Sequence, residues 1–190
     1  MTALCVITGD NSLNHAQTID QFLSEIEKRA YRMALIATSN RDDALEIVQD
    51  SMMKLVNRYS NKHATDWPPL FHRILQSTIR DWYRRSKVRN SLRQFFFSSD
   101  QENSTDYMDT FTTYDSQPDE QLKKEMTVQQ LDTALHALPL RQQQAFLLRQ
   151  WEGLDVKQTA HAMSCSESSV KTHYSRAISA LRNQLEDHWP

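Results

Sequence analysis

The sequence predicts an all-α chain of two small helical domains joined by a flexible acidic linker, the second domain containing a helix-turn-helix. Three observations carry that prediction. Among 190 residues there are only two glycines, Gly9 and Gly153, too few for the positive-φ turns of a β-sandwich or of a phosphate-cradling loop. Apolar residues recur at the three-and-four spacing of helix faces in stretches before residue 94 and after residue 117. Between them, Ser98 to Glu125 holds eight acids against two lysines and no helical period. Cys5 and Cys165 fit no disulfide framework or metal spacing. No apolar run approaches the length of a membrane span, and Ala3 to Ile7 is too short and unflanked for a signal peptide. A cytoplasmic protein without membrane insertion is the expectation.

The elements follow in order. Residues 1–17 read as a loose tail. A first domain, 18–93, opens at Thr18, which with Gln21 forms a capping-box pattern ahead of Ile19, Phe22, Leu23, Ile26, Ala30, Met33, Ala34 and Ala37. Asn40 caps a second helix with Asp42 and Asp43 in its first turn, where the dipole favours acids. Its expected buried stripe is Leu45, Val48, Met52, Leu55 and Tyr59, which leaves Asp42, Glu46, Gln49, Asp50 and Met53 outside. After a polar loop, Ser60 to Asp66, Pro68 and Pro69 suit the first turn of a third helix that turns Phe71, Ile74, Leu75 and Trp82 inward. From Leu70 to Arg93 this helix has seven bases and one acid. The linker spans 94–117, and its aromatic patches at Phe95 to Phe97 and Tyr107 to Tyr114 are expected to touch something. In the last domain, 118–190, Met126, Leu131, Leu135 and Leu138 mark one helix and Pro139 opens another. Asp155 with Gln158, and then Ser166, cap two more.

These last two helices, separated by Met163 to Ser166, have helix-turn-helix form. The second turns Val170, Tyr174, Ala177 and Leu181 inward and places Ser168, Ser169, Lys171, Thr172, His173 and Arg176 on or near its outer face. From Ser168 to Gln184 there are three bases and no acid, so this face can approach phosphates, with Lys171 and His173 within reach of base edges. In the third helix, Arg73, Arg80, Arg84, Arg85 and Lys87 interleave with Tyr83, the chemistry of a groove that tracks a nucleic-acid strand. The overall charge of −2 conceals this segregation. The seven histidines form no ligand motif, so no metal, no cofactor and no enzyme is expected.

Leu154 to Arg182, read with Ala137, Leu138, Pro139, Arg141, Gln142 and Phe146 to Leu148, resembles region 4 of bacterial sigma factors of the extracytoplasmic-function (ECF) type. Asp43 to Asp50, Leu55, Phe71 to Ile74 and Asp81 to Arg85 resemble their region 2. The resemblance implies a transcription initiation factor that binds core RNA polymerase and promoter DNA and is regulated by an anti-sigma factor. Carried over by position, Asp42, Glu46, Gln49, Asp50 and Met53 would face the polymerase. Arg73, Arg80, Tyr83, Arg84, Arg85 and Lys87 would face the minus-10 element, with Asn61, Lys62 and His63 in the loop that receives an extruded base. Ser168, Ser169, Lys171, Thr172, His173 and Arg176 would read the minus-35 element. The acidic linker would be either a nucleic-acid mimic in the RNA channel or a solvated spacer. Ser164 stands where the family's turn usually has glycine. The nearest alternative is a response-regulator-type helix-turn-helix transcription regulator, which Val170 to His173 also resembles; that class needs an α/β receiver before the linker.

Overall fold

The computed structural model describes residues 10–96 and 129–185, with side chains over 18–89 and 129–185. All regular structure within these bounds is helical. Helix α1 runs Asp10–Thr38, so the expected tail is shorter and Thr18 lies inside the helix instead of capping it. Propagating an existing helix costs less than starting one, so α1 extends beyond its apolar period. Ile19, Ile26, Ala30, Met33 and Ala34 form its buried face. At its end the Thr38 hydroxyl donates to Ala34 O at 2.9 Å, and Ser39 turns the chain with φ +54°.

Asn40 then accepts from the Asp43 N–H at 2.9 Å, capping α2 (Arg41–Tyr59) as predicted. The buried stripe of α2 keeps Val48, Met52, Leu55 and Tyr59 of the expected set but takes in Ala44, Ile47 and Ser51 and leaves out Leu45. Ala44, Ile47, Val48, Ser51 and Leu55 are buried, Met52 and Tyr59 are half-buried, and Leu45 is 47% exposed. Small Ala44 and Ser51 permit close approach to α1, and Ser51 satisfies its buried hydroxyl by donating to Ile47 O at 2.7 Å. A short 3₁₀ turn, Ala64–Asp66, leads into α3 (Trp67–Phe96), which opens on Trp67, Pro68 and Pro69. The Trp67 indole donates to Tyr59 O at 3.0 Å, which pins the loop. Phe71, Leu75 and Ile79 face inward, and Trp82 packs half-buried at the margin of the core.

Residues 94–96 of the expected linker instead continue α3, so Phe95 and Phe96 lie in its last turn, and the rest of the linker, with Phe97 and the Tyr107 to Tyr114 patch, lies outside the described residues. Beyond them, α4 covers residues 129–137 and α5 covers Leu140–Phe146. The chain then widens into a π-helical turn, Leu147–Trp151, and Gly153 follows at φ +66°, a glycine used where its conformational freedom is needed. Helix α6 (Val156–Met163) starts on the predicted capping box, with Asp155 and Gln158 bonded reciprocally. Ser164 closes it at φ +52°, so the turn is made without the family's glycine. Ser166 caps α7 (Glu167–Gln184).

The helices before and after the linker do not stand apart. Leu135, Leu138, Leu147, Leu181 and Leu185 belong to the same apolar core as Ile26, Met33, Leu55, Phe71 and Leu75. A second, smaller core of Ala145, Leu148, Ala160, Ala162, Met163 and Val170 holds the helix-turn-helix itself.

Candidate nucleic-acid interface

On α7, Val170, Ala177 and Leu181 are buried and Tyr174 half-buried, so the helix is anchored by the predicted residues. The Arg149 guanidinium stacks 5.8 Å from the Tyr174 ring centre. Ser168, Lys171, Thr172 and Arg176 are exposed, and Ser169 and His173 are half-buried. The Ser169 hydroxyl turns back to the cap, 2.8 Å from the Ser166 hydroxyl, and Thr172 donates to Ser168 O at 3.0 Å. Lys171 and Arg176 are therefore the long outward reach of this face. Burial holds the His173 pKa below its usual value, helped by Arg141 and Arg176, so His173 is neutral at pH 7 and adds no charge.

The predicted residues of α3 divide into two groups. Arg84, Arg85 and Lys87 are exposed and Tyr83 is half-buried. Lys87 Nζ sits 4.9 Å from the Tyr83 ring centre, and Arg84 pairs with Asp81 at 2.6 Å. Asn61, Lys62 and His63 are exposed on the preceding loop. Arg73 and Arg80 instead point to the helix-turn-helix. Arg73 Nη1 is 3.3 Å from His161 Nε2, and Arg80 donates to the carbonyl of Met163. Burial lowers the Arg80 pKa, with Arg141 adding to the effect.

On α2, Asp42, Glu46, Gln49 and Met53 are exposed, whereas Asp50 is half-buried and held by Lys54 at 2.7 Å. Two residues missing from the predicted set share the exposed side. Leu45 and Val56, with Met53, form an apolar strip at helical spacing, and Met53 is 63% exposed. The spacing was visible in the sequence, but the expected stripe had assigned Leu45 to the core.

Sequence reasoning also missed the polar seam between the two halves. The Glu152 side chain is 3% exposed, with Oε2 3.4 Å from His72 Nε2 and 3.7 Å from Arg29 Nη1. Burial pushes the Glu152 pKa up against the opposing pull of Arg29. Burial, and then Arg29, takes His72 down to about 4. Gln143 donates to Ile36 O at 3.2 Å and Leu135 O at 3.0 Å, and Gln144 donates to Gln76 O at 3.4 Å. No local pattern announces these pairs, because the partners lie far apart in sequence.

The family profile of sigma-70 region 4 matches residues 128–181, the span of α4 to α7. The chain is 29% identical over 159 residues to RNA polymerase sigma factor SigV of Bacillus subtilis, covering 82% of this chain and 83% of that protein. It is 23% identical over 187 residues to ECF RNA polymerase sigma factor SigE of Mycolicibacterium smegmatis, covering 98% and 68%. Among solved structures, the fold resembles that of sigma factor RpoE in complex with the anti-sigma factor NepR from Bartonella quintana. The TM-score is 0.61 at 19% identity, covering 90% of this chain and 98% of that one. It also resembles CnrH in complex with the cytosolic domain of CnrY, with TM-score 0.59 at 13% identity, covering 94% and 98%. Residues 128–181 thus match sigma-70 region 4, and over most of its length the chain is similar to RNA polymerase sigma factors of the ECF type.

Proposed function

We propose that this chain binds core RNA polymerase in the cytoplasm and directs it to promoters, supplying recognition and no catalytic step of its own. The single observation that carries the reading is the coincidence of the region 4 match with a helix-turn-helix whose second helix presents Lys171, Thr172 and Arg176 to solvent. Ser168, Lys171, Thr172 and Arg176 meet the minus-35 element, with Ser169 and His173 supporting the helix from its flank. Tyr83, Arg84, Arg85 and Lys87 meet the minus-10 element, and Arg73 and Arg80 join them once released from the helix-turn-helix. Asn61, Lys62 and His63 lie on the loop that receives an extruded base. Asp42, Glu46, Gln49 and Met53 face the polymerase with Leu45 and Val56, and Asp50 orients that face through Lys54. The 18–93 and 118–190 segments act as the two recognition modules, joined by the 94–117 linker. Relatives solved with anti-sigma factors support regulation by such a protein here. The response-regulator alternative is disfavoured by the all-helical residues before the linker.

The test is to mix the purified chain with core RNA polymerase free of other sigma factors. Stable association and transcripts that depend on promoter sequence are expected. Absence of association overturns the reading.

A further inference from the structure

We propose that Arg80, Arg141 and Arg176 frame an anion site at the turn of the helix-turn-helix, suited to the oxygens of a phosphate group. The site stands whether or not the chain acts on promoters.

Three elements supply its cations. Arg80 comes from α3 and Arg141 from α5, and each donates to the carbonyl of Met163, so the two guanidiniums are neighbours on a single oxygen. Arg176 approaches from α7. Arg141 stands close enough to bear on the Cys165 thiol together with Arg80, and on the His173 imidazole together with Arg176. Arg80, Arg141, Cys165 and His173 are half-buried around this spot, and Arg176 is exposed at its edge.

The positive charge gathered there is not balanced by the fold. The Met163 carbonyl ends α6, whose dipole places only about half a negative charge at that end. None of the three arginines has a carboxylate partner among the described residues. Asp81, which bears on Arg80, is held by Arg84 at 2.6 Å. The Cys165 thiol supplies no thiolate at neutral pH, because burial raises its pKa against the pull of Arg141 and Arg80, and His173 is neutral. An anion would complete the cluster.

The donor geometry selects the kind of anion. A guanidinium carries five N–H groups, and Arg80 and Arg141 commit hydrogen bonds among the described residues only to Met163, which leaves most of both forks for a ligand. Two planar forks side by side match an oxyanion that can be gripped from two directions. A phosphate group offers three acceptor oxygens and roughly two negative charges, where a carboxylate offers two oxygens and one charge. Partial burial strengthens such bonds by thinning the water around them. Phosphate of this kind is carried both by small phosphorylated molecules and by a nucleic-acid backbone.

The experiment is isothermal titration calorimetry of the full chain with inorganic pyrophosphate at constant ionic strength, with far-UV circular dichroism as the folding control. Saturable binding of one pyrophosphate per chain is expected. Arg141→Gln should weaken it by about tenfold or more, as loss of a charged donor pair implies. Arg58→Gln removes the same charge from the exposed end of α2 and should change the affinity by less than about twofold, because salt screens distant charges. If Arg141→Gln loses helicity, the wild type decides by NMR: the Nε–Hε signals of Arg80 and Arg141 should move on adding pyrophosphate while that of Arg58 stays. No saturable binding, equal weakening by both substitutions, or shifts spread evenly over the arginines overturns the site. A short DNA duplex of arbitrary sequence then identifies the source of the phosphate. Displacement of pyrophosphate by the duplex assigns it to a nucleic-acid backbone and lack of displacement to a small phosphorylated ligand, and both results support the site. A chain that binds pyrophosphate as described yet fails to bind core polymerase leaves the site standing and overturns the proposed function instead.

Discussion

His72 and Glu152 are neighbours whose ionisation is suppressed for the same reason, and their effects on stability have opposite signs. With His72 depressed to about 4 in the native state and near 6.5 when unfolded, the unfolded chain binds more protons between those values. Stability from this residue is therefore lost as pH falls from 6.5 towards 4, by an amount on the order of 3 kcal/mol. Glu152 is raised, so its contribution is present below its unfolded value and is lost as pH rises through the native one. His72→Gln should remove the first slope and expose the second. Denaturant midpoints of the wild type should fall as pH is lowered from 6.5 towards 5, and those of that variant should not. At the other functional surface, Lys171 is exposed and held by no partner of opposite charge among the described ion pairs. Lys171→Ala should cost roughly 1 to 3 kcal/mol at the preferred minus-35 sequence and less elsewhere if it reads a base. An equal loss on every sequence, measured by DNA titration of the holoenzyme, assigns it to a phosphate.

Helices show which sequence signals were sufficient. Caps at Asn40, Asp155 and Ser166 were legible, because a capping side chain and its N–H lie within one turn of chain. The inward set of α7 was legible too, since Val170, Ala177 and Leu181 repeat at helical spacing. On α2 the expected stripe was right at Val48, Met52, Leu55 and Tyr59 and wrong at Leu45. Hydrophobicity alone favoured Leu45, whereas packing favoured small Ala44 and Ser51 against α1. The residue so displaced is the one that lengthens the exposed strip with Met53 and Val56. Since these side chains support no core, Leu45→Ser with Met53→Ser should leave the thermal midpoint within a few degrees of wild type. Affinity for core polymerase should fall by roughly 1 to 3 kcal/mol, read by competition against another sigma factor. Retained affinity would place the polymerase contact elsewhere.

At the scale of the whole chain, the sequence suggested two modules, and the structure adds that they share a core. That association was not legible, because it depends on pairs such as Gln143 with Ile36 and Gln144 with Gln76 that leave no periodic trace. The minus-10 surface was only partly legible for the same reason: Arg73 and Arg80 read as members of a basic face, but tertiary contacts divert them. A shared core predicts one cooperative urea transition for the wild type, coincident by tryptophan fluorescence and circular dichroism. Arg80→Glu should split it in two. A wild type that already unfolds in two steps would mean that the halves are independently stable.

The π-helical turn at Leu147–Trp151 gives this arrangement an unusual dependence. A π turn carries one residue more than the α-helical turn it replaces, and each residue advances the direction of the next side chain by about 100°. Deleting a single position within that turn would leave Arg29, His72 and Glu152 all present, yet rotate Glu152 out of the gap between α1 and α3. Where Glu152 meets α1 and α3 is thus written in the spacing of the chain as well as in its chemistry. A one-residue deletion between Leu147 and Trp151 should break the contacts of Glu152 with Arg29 and His72 and lower the denaturant midpoint, whereas an unchanged midpoint would show that the register of this turn does not matter.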